Sequence, residues 1–252
     1  KISAVIPISE FDDNTFLVMG TKKGMVKKTK ITEFISKRKT GLLSIALKDE
    51  DELIDVRITD GSYNIVFVTR KGICITFDEK QVRPLGRVSQ GVQAIRLDED
   101  DEVIGMEVFK QESKATLLTI TENGFGKRTE LDEYRVQKRA GRGVITYKVT
   151  PKTGNLVGSR ISEGTEDIML ITDNGTIIRL NVKDINTLGR ATQGVTLMKT
   201  TGGVKVVSIE LITKEEEELE EKNKKEKAEK EKEKKEKKKE ESKEENKEDK
   251  KE

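Results

Sequence analysis

Apolar, β-branched stretches alternate with short polar breaks along the first 213 residues. Phe16-Leu17-Val18-Met19, Ile65-Val66-Phe67-Val68, Leu117-Leu118-Thr119-Ile120 and Ile168-Met169-Leu170-Ile171 have the length and residue type of buried strands. Each runs into a turn containing Lys23-Gly24, Lys71-Gly72, Asn123-Gly124 or Asn174-Gly175, and Asn-Gly between two strand-like runs is a strong hairpin signal. A second strand follows, as in Thr176-Ile177-Ile178-Arg179-Leu180. A stretch rich in Arg and Lys then leads to a further glycine, a third strand (91–97 and 194–198), an acidic turn, and a fourth strand at 53–58, 103–108, 156–161 and 206–211.

The pattern repeats about every fifty residues, the sign of a repeat architecture. Gly24, Gly72, Gly124 and Gly175 each stand three positions after a threonine (Thr21, Thr69, Thr121, Thr172). Gly41, Gly91, Gly143 and Gly194 keep the same beat, each preceded four positions earlier by Lys37, Arg87, Arg139 or Arg190. Four short antiparallel strands per unit predict an all-β, propeller-like array of four-stranded blades, with these eight glycines in structural roles. The expected layout is four complete repeats at about 15–62, 63–114, 115–164 and 165–213. Lys1-Ile2-Ser3-Ala4-Val5-Ile6 matches Glu52-Leu53-Ile54-Asp55-Val56-Arg57 of a fourth strand, so residues 1–14 read as the end of an upstream blade.

Composition narrows the class. One cysteine excludes a disulfide framework, and the absence of an apolar run near eighteen residues or of a secretory leader predicts a cytoplasmic protein with no membrane partner. The net charge of +2 conceals two regions. Residues 1–213 hold 33 basic against 29 acidic groups, whereas 214–252 hold 16 Lys against 18 Asp and Glu, with Leu219 and Ala228 the only apolar side chains. That low-complexity tail cannot bury enough surface to order itself as a domain, and reads as disordered or a transient helix. Its acidic start, tethered beside a basic surface, is expected to compete mildly with other polyanions.

The most pointed local motif is Tyr134-Arg135-Val136-Gln137-Lys138-Arg139-Ala140-Gly141-Arg142-Gly143, where small residues allow close backbone approach and four cations suit a phosphate chain. With it the expected DNA-binding set comprises Lys37, Arg38, Arg87 and Arg190, and the hairpin cations Lys27, Lys28, Lys127, Arg128 and Arg179. Aromatics are few and not interleaved with these cations, which favours a duplex backbone over stacked single strands. The acidic clusters 49–52 and 98–102 lack the spacing of a calcium loop and read as solvated turns, so no metal site is expected. Cys74 reads as a buried small apolar residue. With no His and no Ser or Cys beside a base, no catalytic residue is expected.

The repeats, with Lys22-Lys23-Gly24-Met25-Val26-Lys27-Lys28-Thr29, Val82-Arg83-Pro84-Leu85-Gly86-Arg87 and Glu122-Asn123-Gly124-Phe125-Gly126-Lys127-Arg128-Thr129, resemble the C-terminal domain of the A subunit of bacterial DNA gyrase over residues 1 to about 213. The resemblance implies a β-pinwheel whose outer edge wraps duplex DNA in support of ATP-dependent negative supercoiling. That family's signature box reads Gln-Arg-Arg-Gly-Gly-Lys-Gly, and Gln137–Gly143 resembles it, with Lys138, Ala140 and Arg142 as departures and a position in the third unit rather than the first. The resemblance further implies an upstream catalytic domain bearing the cleavage tyrosine and the B subunit of gyrase as partner in an A2B2 assembly. It also implies ATP and Mg2+ used by the whole enzyme but no cofactor here, and a place on the nucleoid. The related readings are the C-terminal domain of the A subunit of topoisomerase IV and a propeller that binds protein.

Overall fold

The computed structural model describes residues 4–8, 10–37 and 40–213. The sheets lie in the first of the two compact units into which the chain divides, Lys1–Leu211; of the second, Ile212–Glu252, only Ile212 and Thr213 are described. The expected tail at 214–252, Arg38, and the first three residues of the 1–6 segment fall outside the described residues.

Among the described residues fifteen strands follow one another: β1 Phe16–Thr21, β2 Met25–Lys30, β3 Leu53–Thr59, β4 Tyr63–Thr69, β5 Ile73–Asp78, β6 Val92–Gln93, β7 Val103–Lys110, β8 Thr116–Thr121, β9 Phe125–Glu130, β10 Val144–Ile145, β11 Leu156–Ser162, β12 Asp167–Thr172, β13 Ile177–Asn181, β14 Val195–Thr196 and β15 Val206–Ile212. They form antiparallel sheets in the order β3-β1-β2-β6, β7-β4-β5-β10, β11-β8-β9-β14 and β15-β12-β13, a propeller-like array of blades. After each second hairpin strand comes a short 3-10 helix, at Ile31–Phe34, Glu79–Gln81, Leu131–Glu133 and Val182–Asp184.

The threonine-to-glycine spacing has a local cause. In each hairpin the glycine N–H donates to the carbonyl of the threonine three residues earlier, at 3.0 to 3.1 Å. In the first three blades the threonine hydroxyl also accepts the next N–H, from Met25, Ile73 or Phe125, at 3.1 to 3.2 Å.

The sequence places the third strand of each unit within its own blade, and the structure corrects this. That strand is only two residues long and joins the preceding blade: β6 pairs with β2, β10 with β5, and β14 with β9. The fourth sheet has three strands among the described residues. The eight repeated glycines all have positive φ, and at the swap two of them explain why. A Cβ on Gly143 would stand 2.3 Å from the Cys74 carbonyl oxygen, and one on Gly72 would stand 2.4 Å from that of Tyr147. The backbones of adjacent repeats touch there, which only glycine permits. The small residues of the 137–143 motif therefore serve blade-to-blade contact.

Packing follows the same junctions. Ile65, Phe67, Ile75, Phe77, Val82 and Ile95 are buried in one cluster with Val18 and Val26 of the first blade. Phe67 and Phe77 stack at 6.1 Å, an arrangement worth about 1 kcal/mol beyond area burial. Cys74 is buried as expected, which pushes its thiol up to about 12. Ala4–Ile6, expected to extend a fourth strand, form no strand, and line a cavity with Asp55, Val56, Arg57, Arg160 and Glu210.

The fourth strands of successive units, β3, β7 and β11, pack against one another, and four equivalent positions on β3, β7, β11 and β15 alternate in charge: Arg57, Glu107, Arg160, Glu210. Arg57 holds Glu107 through two bonds, Nη2 to Oε1 at 2.8 Å and Nε to Oε2 at 3.0 Å. Arg160 lies 3.6 Å from Glu107 and 3.4 Å from Glu210.

Candidate nucleic-acid interface

Each repeat sends a segment alongside the second hairpin strand of the blade before it, and these segments carry the repeated cations. Leu85 N–H donates to the Lys28 carbonyl at 2.8 Å, Gln137 N–H to that of Thr76 at 2.7 Å, and Leu188 N–H to that of Arg128 at 2.8 Å. The following turns are joined in series: Ala46 N–H reaches the Ser89 carbonyl at 3.1 Å, Arg96 N–H that of Gly141 at 2.8 Å, and Lys148 N–H that of Thr192 at 3.0 Å. Equivalent cations thus occupy equivalent places on a connected backbone.

At two of the three junctions the 3-10 helix of the preceding blade holds the turn by hydrogen bonds. Gln81 clamps the central motif, its Oε1 accepting Arg139 N–H at 2.9 Å and its Nε2 donating to the Gln137 carbonyl at 3.0 Å. At the last junction the same place is held by Glu133, whose Oε2 accepts Arg190 N–H at 2.8 Å. Glu33 shares a surface cleft with Gly86 and Arg87 at the first. The central turn alone among these three therefore rests on a neutral amide, and its cations face no carboxylate at that contact.

The expected site residues differ in exposure and in what they bond. Arg135, Lys138 and Arg142 are exposed and engage no other described residue through a hydrogen bond or ion pair, and Lys37 is exposed likewise. Arg139 and Arg190 are half-buried and tie down the swapped strands: Arg139 Nη1 donates to the Gln93 carbonyl at 3.0 Å and Arg190 Nη1 to that of Ile145 at 2.8 Å, each the last residue of its outer strand. Arg139 Nε also donates to the Gln81 carbonyl at 3.1 Å. Arg128 donates to the carbonyls of Ile185 at 2.8 Å and Lys183 at 3.2 Å, while Arg179 is exposed and bonded to Asp167 at 2.6 Å. Arg87 is half-buried, and Gln137 is half-buried with its amide nitrogen enclosed.

Lys27, Lys28 and Lys127 depart from the expected rim set, because all three are buried. Lys28 lies 3.6 Å from Glu79, itself buried, and donates to the Glu79 carbonyl at 3.0 Å. Lys27 and Lys127 end among backbone carbonyls, and burial lowers both ammoniums to about 8. Hydrophobicity patterns count a lysine as polar and outward, and only the alternation with Ile75 and Ile178 at the equivalent positions marks these places as interior.

The acidic turns, expected to be merely solvated, have a further role. Asp51 Oδ1 accepts Lys23 N–H and Glu52 N–H at 2.9 Å each, and Asp101 Oδ1 accepts Lys71 N–H at 3.0 Å and Glu102 N–H at 2.9 Å. One aspartate in each cluster thus closes the neighbouring hairpin turn. Among the described residues no group of three or more His, Cys, Asp or Glu could hold a metal ion, and no helix is long and apolar enough to cross a membrane.

A strand-swapped β-pinwheel with cationic turns at every junction defines a narrow class of repeat protein. The family model described as the DNA gyrase C-terminal domain, β-propeller, matches residues 15–60, 63–110, 115–162 and 166–213. The chain belongs to that family. It is 50% identical over 218 residues to the A subunit of DNA gyrase from Clostridium acetobutylicum and 39% identical over 222 residues to that from Salmonella typhimurium, covering 86% and 87% of this chain. It spans about a quarter of the length of these curated relatives, 26% and 25%. The solved C-terminal domain of a DNA topoisomerase IV superposes with a TM-score of 0.77 at 28% identity, over 82% of this chain and 64% of that one. A solved DNA gyrase A C-terminal domain gives 0.72 over 82% and 68%, and at 24% identity supports the fold alone.

Proposed function

We propose that this chain is a non-catalytic, duplex-DNA-binding and DNA-wrapping part of the A subunit of a DNA gyrase, and that its outer turns hold the phosphate backbone. The observation that carries the reading is the central turn, where Arg135, Lys138 and Arg142 stand exposed on a backbone clamped by the neutral Gln81. A phosphate chain needs cations free of carboxylates and a rigid frame beneath them. Lys37, Arg87, Arg139 and Arg190 extend the same contact from junction to junction, with Gln137 in the box-like turn. The expected contribution of Arg38 stands on the sequence alone.

In the whole protein the bound duplex would be presented to an upstream catalytic domain bearing the cleavage tyrosine. ATP and Mg2+ would be used together with the B subunit of gyrase, in an A2B2 assembly on the nucleoid. The topoisomerase IV reading is the alternative, supported by the structural likeness to that enzyme's domain, and would place the same contact on a different enzyme.

The test is to ligate nicked plasmid with increasing amounts of the chain at low salt, remove the protein, and read the linking number. A positive shift that grows with protein supports wrapping. Salt-sensitive binding without a shift would leave backbone recognition and remove wrapping by this chain. Absence of duplex binding would overturn the proposal in favour of a protein-binding propeller.

A further inference from the structure

Lys27 and Lys127 have a more specific arrangement than burial alone requires. Lys127 Nζ donates to the carbonyls of Gly189 and Arg190 at 2.6 Å each and to Thr192 Oγ1 at 3.2 Å, so its three N–H groups meet three acceptors. Lys27 Nζ, at the equivalent place two blades earlier, donates to the carbonyls of Ser44 at 2.6 Å and Arg87. In both cases one acceptor is the carbonyl of the repeated arginine.

The facing turns match. Ser89 Oγ donates to the Gly86 carbonyl and Thr192 Oγ1 to that of Gly189, both at 2.8 Å, closing the two turns in the same way. At the intervening junction Ile75 replaces the lysine and Gly141 replaces the hydroxyl residue; a Cβ at 141 would stand 3.3 Å from Ile75 Cδ1. The chain thus holds two matched pairs, lysine with a hydroxyl residue and isoleucine with glycine. An enclosed ammonium carries a desolvation cost that isoleucine avoids. What the lysine adds is a fixed hold on the carbonyl of Arg87 or Arg190, whereas at the intervening junction Gln81 holds Arg139 through its N–H and Nε.

Resting on the reading of these turns as DNA contacts, the geometry points to Lys27 and Lys127 as positioning residues that orient Arg87 and Arg190 toward the duplex phosphates. The charged and titratable groups facing Lys127 are Glu133, Arg190 and Cys74, with the Tyr147 ring 5.5 Å from its nitrogen; those facing Lys27 are Arg87 and Glu33. Both ammoniums lose a proton, and with it a donor, as pH rises through about 8. Duplex affinity therefore falls through that pH. Fold stability moves the other way between about 8 and the ordinary lysine value of 10.5, because there the unfolded chain binds a proton that the folded chain does not. A purely structural role would not separate the two trends.

The experiment measures duplex affinity against salt at pH 7 for the unaltered chain, Lys127→Ile, Arg190→Ala and the double variant. Lys127→Ile with Thr192→Gly, which copies the Ile75 and Gly141 pair, serves as a second variant that keeps the packing. Lys127→Ile and Arg190→Ala are each expected to lower the log–log salt slope by about 0.9, and the double variant by the same about 0.9 rather than about 1.8. Replacing both Lys27 and Lys127 by Ile is expected to flatten the affinity profile around pH 8. An unaltered slope for Lys127→Ile with Thr192→Gly, or additive losses in the double variant, would overturn the positioning role while leaving DNA binding intact. Failure of the unaltered chain to bind duplex would overturn the functional reading, and this inference with it.

Discussion

The inner strands and the central outer turn of this chain both carry charged residues, and they use them in opposite ways. On β3, β7, β11 and β15 each arginine is matched by a glutamate of the next strand, so Arg57, Glu107, Arg160 and Glu210 neutralise one another in sequence. On the outer turns Arg135, Lys138 and Arg142 have no such partner among the described residues. Charge that is paired is committed to the fold, and charge that is left open stays available to a ligand. A charge count cannot tell the two apart. Register can.

The comparison breaks most severely at Glu107, which is buried and holds both arginines. Replacing it by alanine removes the carboxylate that bridges the two arginines and leaves Arg57 with Asp55 alone and Arg160 with Glu210 alone, at an expected cost of about 1.5–3 kcal/mol. Urea denaturation should show that loss, while the slope of duplex affinity against salt in the variant that remains folded should be unchanged. Loss of DNA affinity with full stability would place the inner strands at the interface and erase the distinction.

The outer turns should show the converse. Replacing Arg135, Lys138 and Arg142 together by alanine is expected to lower the salt slope by as much as about 2.7, three contacts at about 0.9 each. Stability should stay within about 0.5 kcal/mol, because these side chains bond nothing described. The loss should be equal on duplexes of different sequence, since phosphate contacts carry no base information. A sequence-dependent loss in a competition assay would count against backbone recognition.

Much of this is legible in the sequence for a physical reason. The blades declare themselves through apolar runs and through Thr-x-x-Gly, because Thr21, Thr69 and Thr121 close their turns with both carbonyl and hydroxyl. The swapped third strand is not legible, because Val92–Gln93 carries the same residue types whether it pairs with β5 of its own unit or with β2 of the unit before. The signal that distinguishes them is a backbone contact, the Gly91 approach to the Val26 carbonyl, which has no side chain to read. Lys27, Lys28 and Lys127 escape a sequence reading for a related reason: a buried lysine and a rim lysine share one letter, and only the carbonyls around the nitrogen differ. The inner charge pattern is readable as alternating sign at one position of each fourth strand, and lies hidden among the many charges of an ordinary surface.

The smallest expected effect refines the inner side of the comparison. Asp55 packs against Arg57 but is enclosed, and desolvation outweighs the arginine, pushing its carboxyl up to about 6. The folded value therefore lies above the unfolded value near 3.8, and between the two the folded chain holds a proton that the unfolded chain has released. Asp55 then makes stability decline as pH rises from about 4 to about 6, with no further change above. After allowance for the partial access of water, that decline should be on the order of 1–2 kcal/mol. Subtracting the stability profile of Asp55→Asn from that of the unaltered chain isolates it from carboxylates such as Glu166, whose lowered value acts with the opposite sign. A difference that vanishes between pH 4 and 6 would mean that Arg57 compensates the burial of Asp55 in full, and that the inner strands bear no residual electrostatic cost.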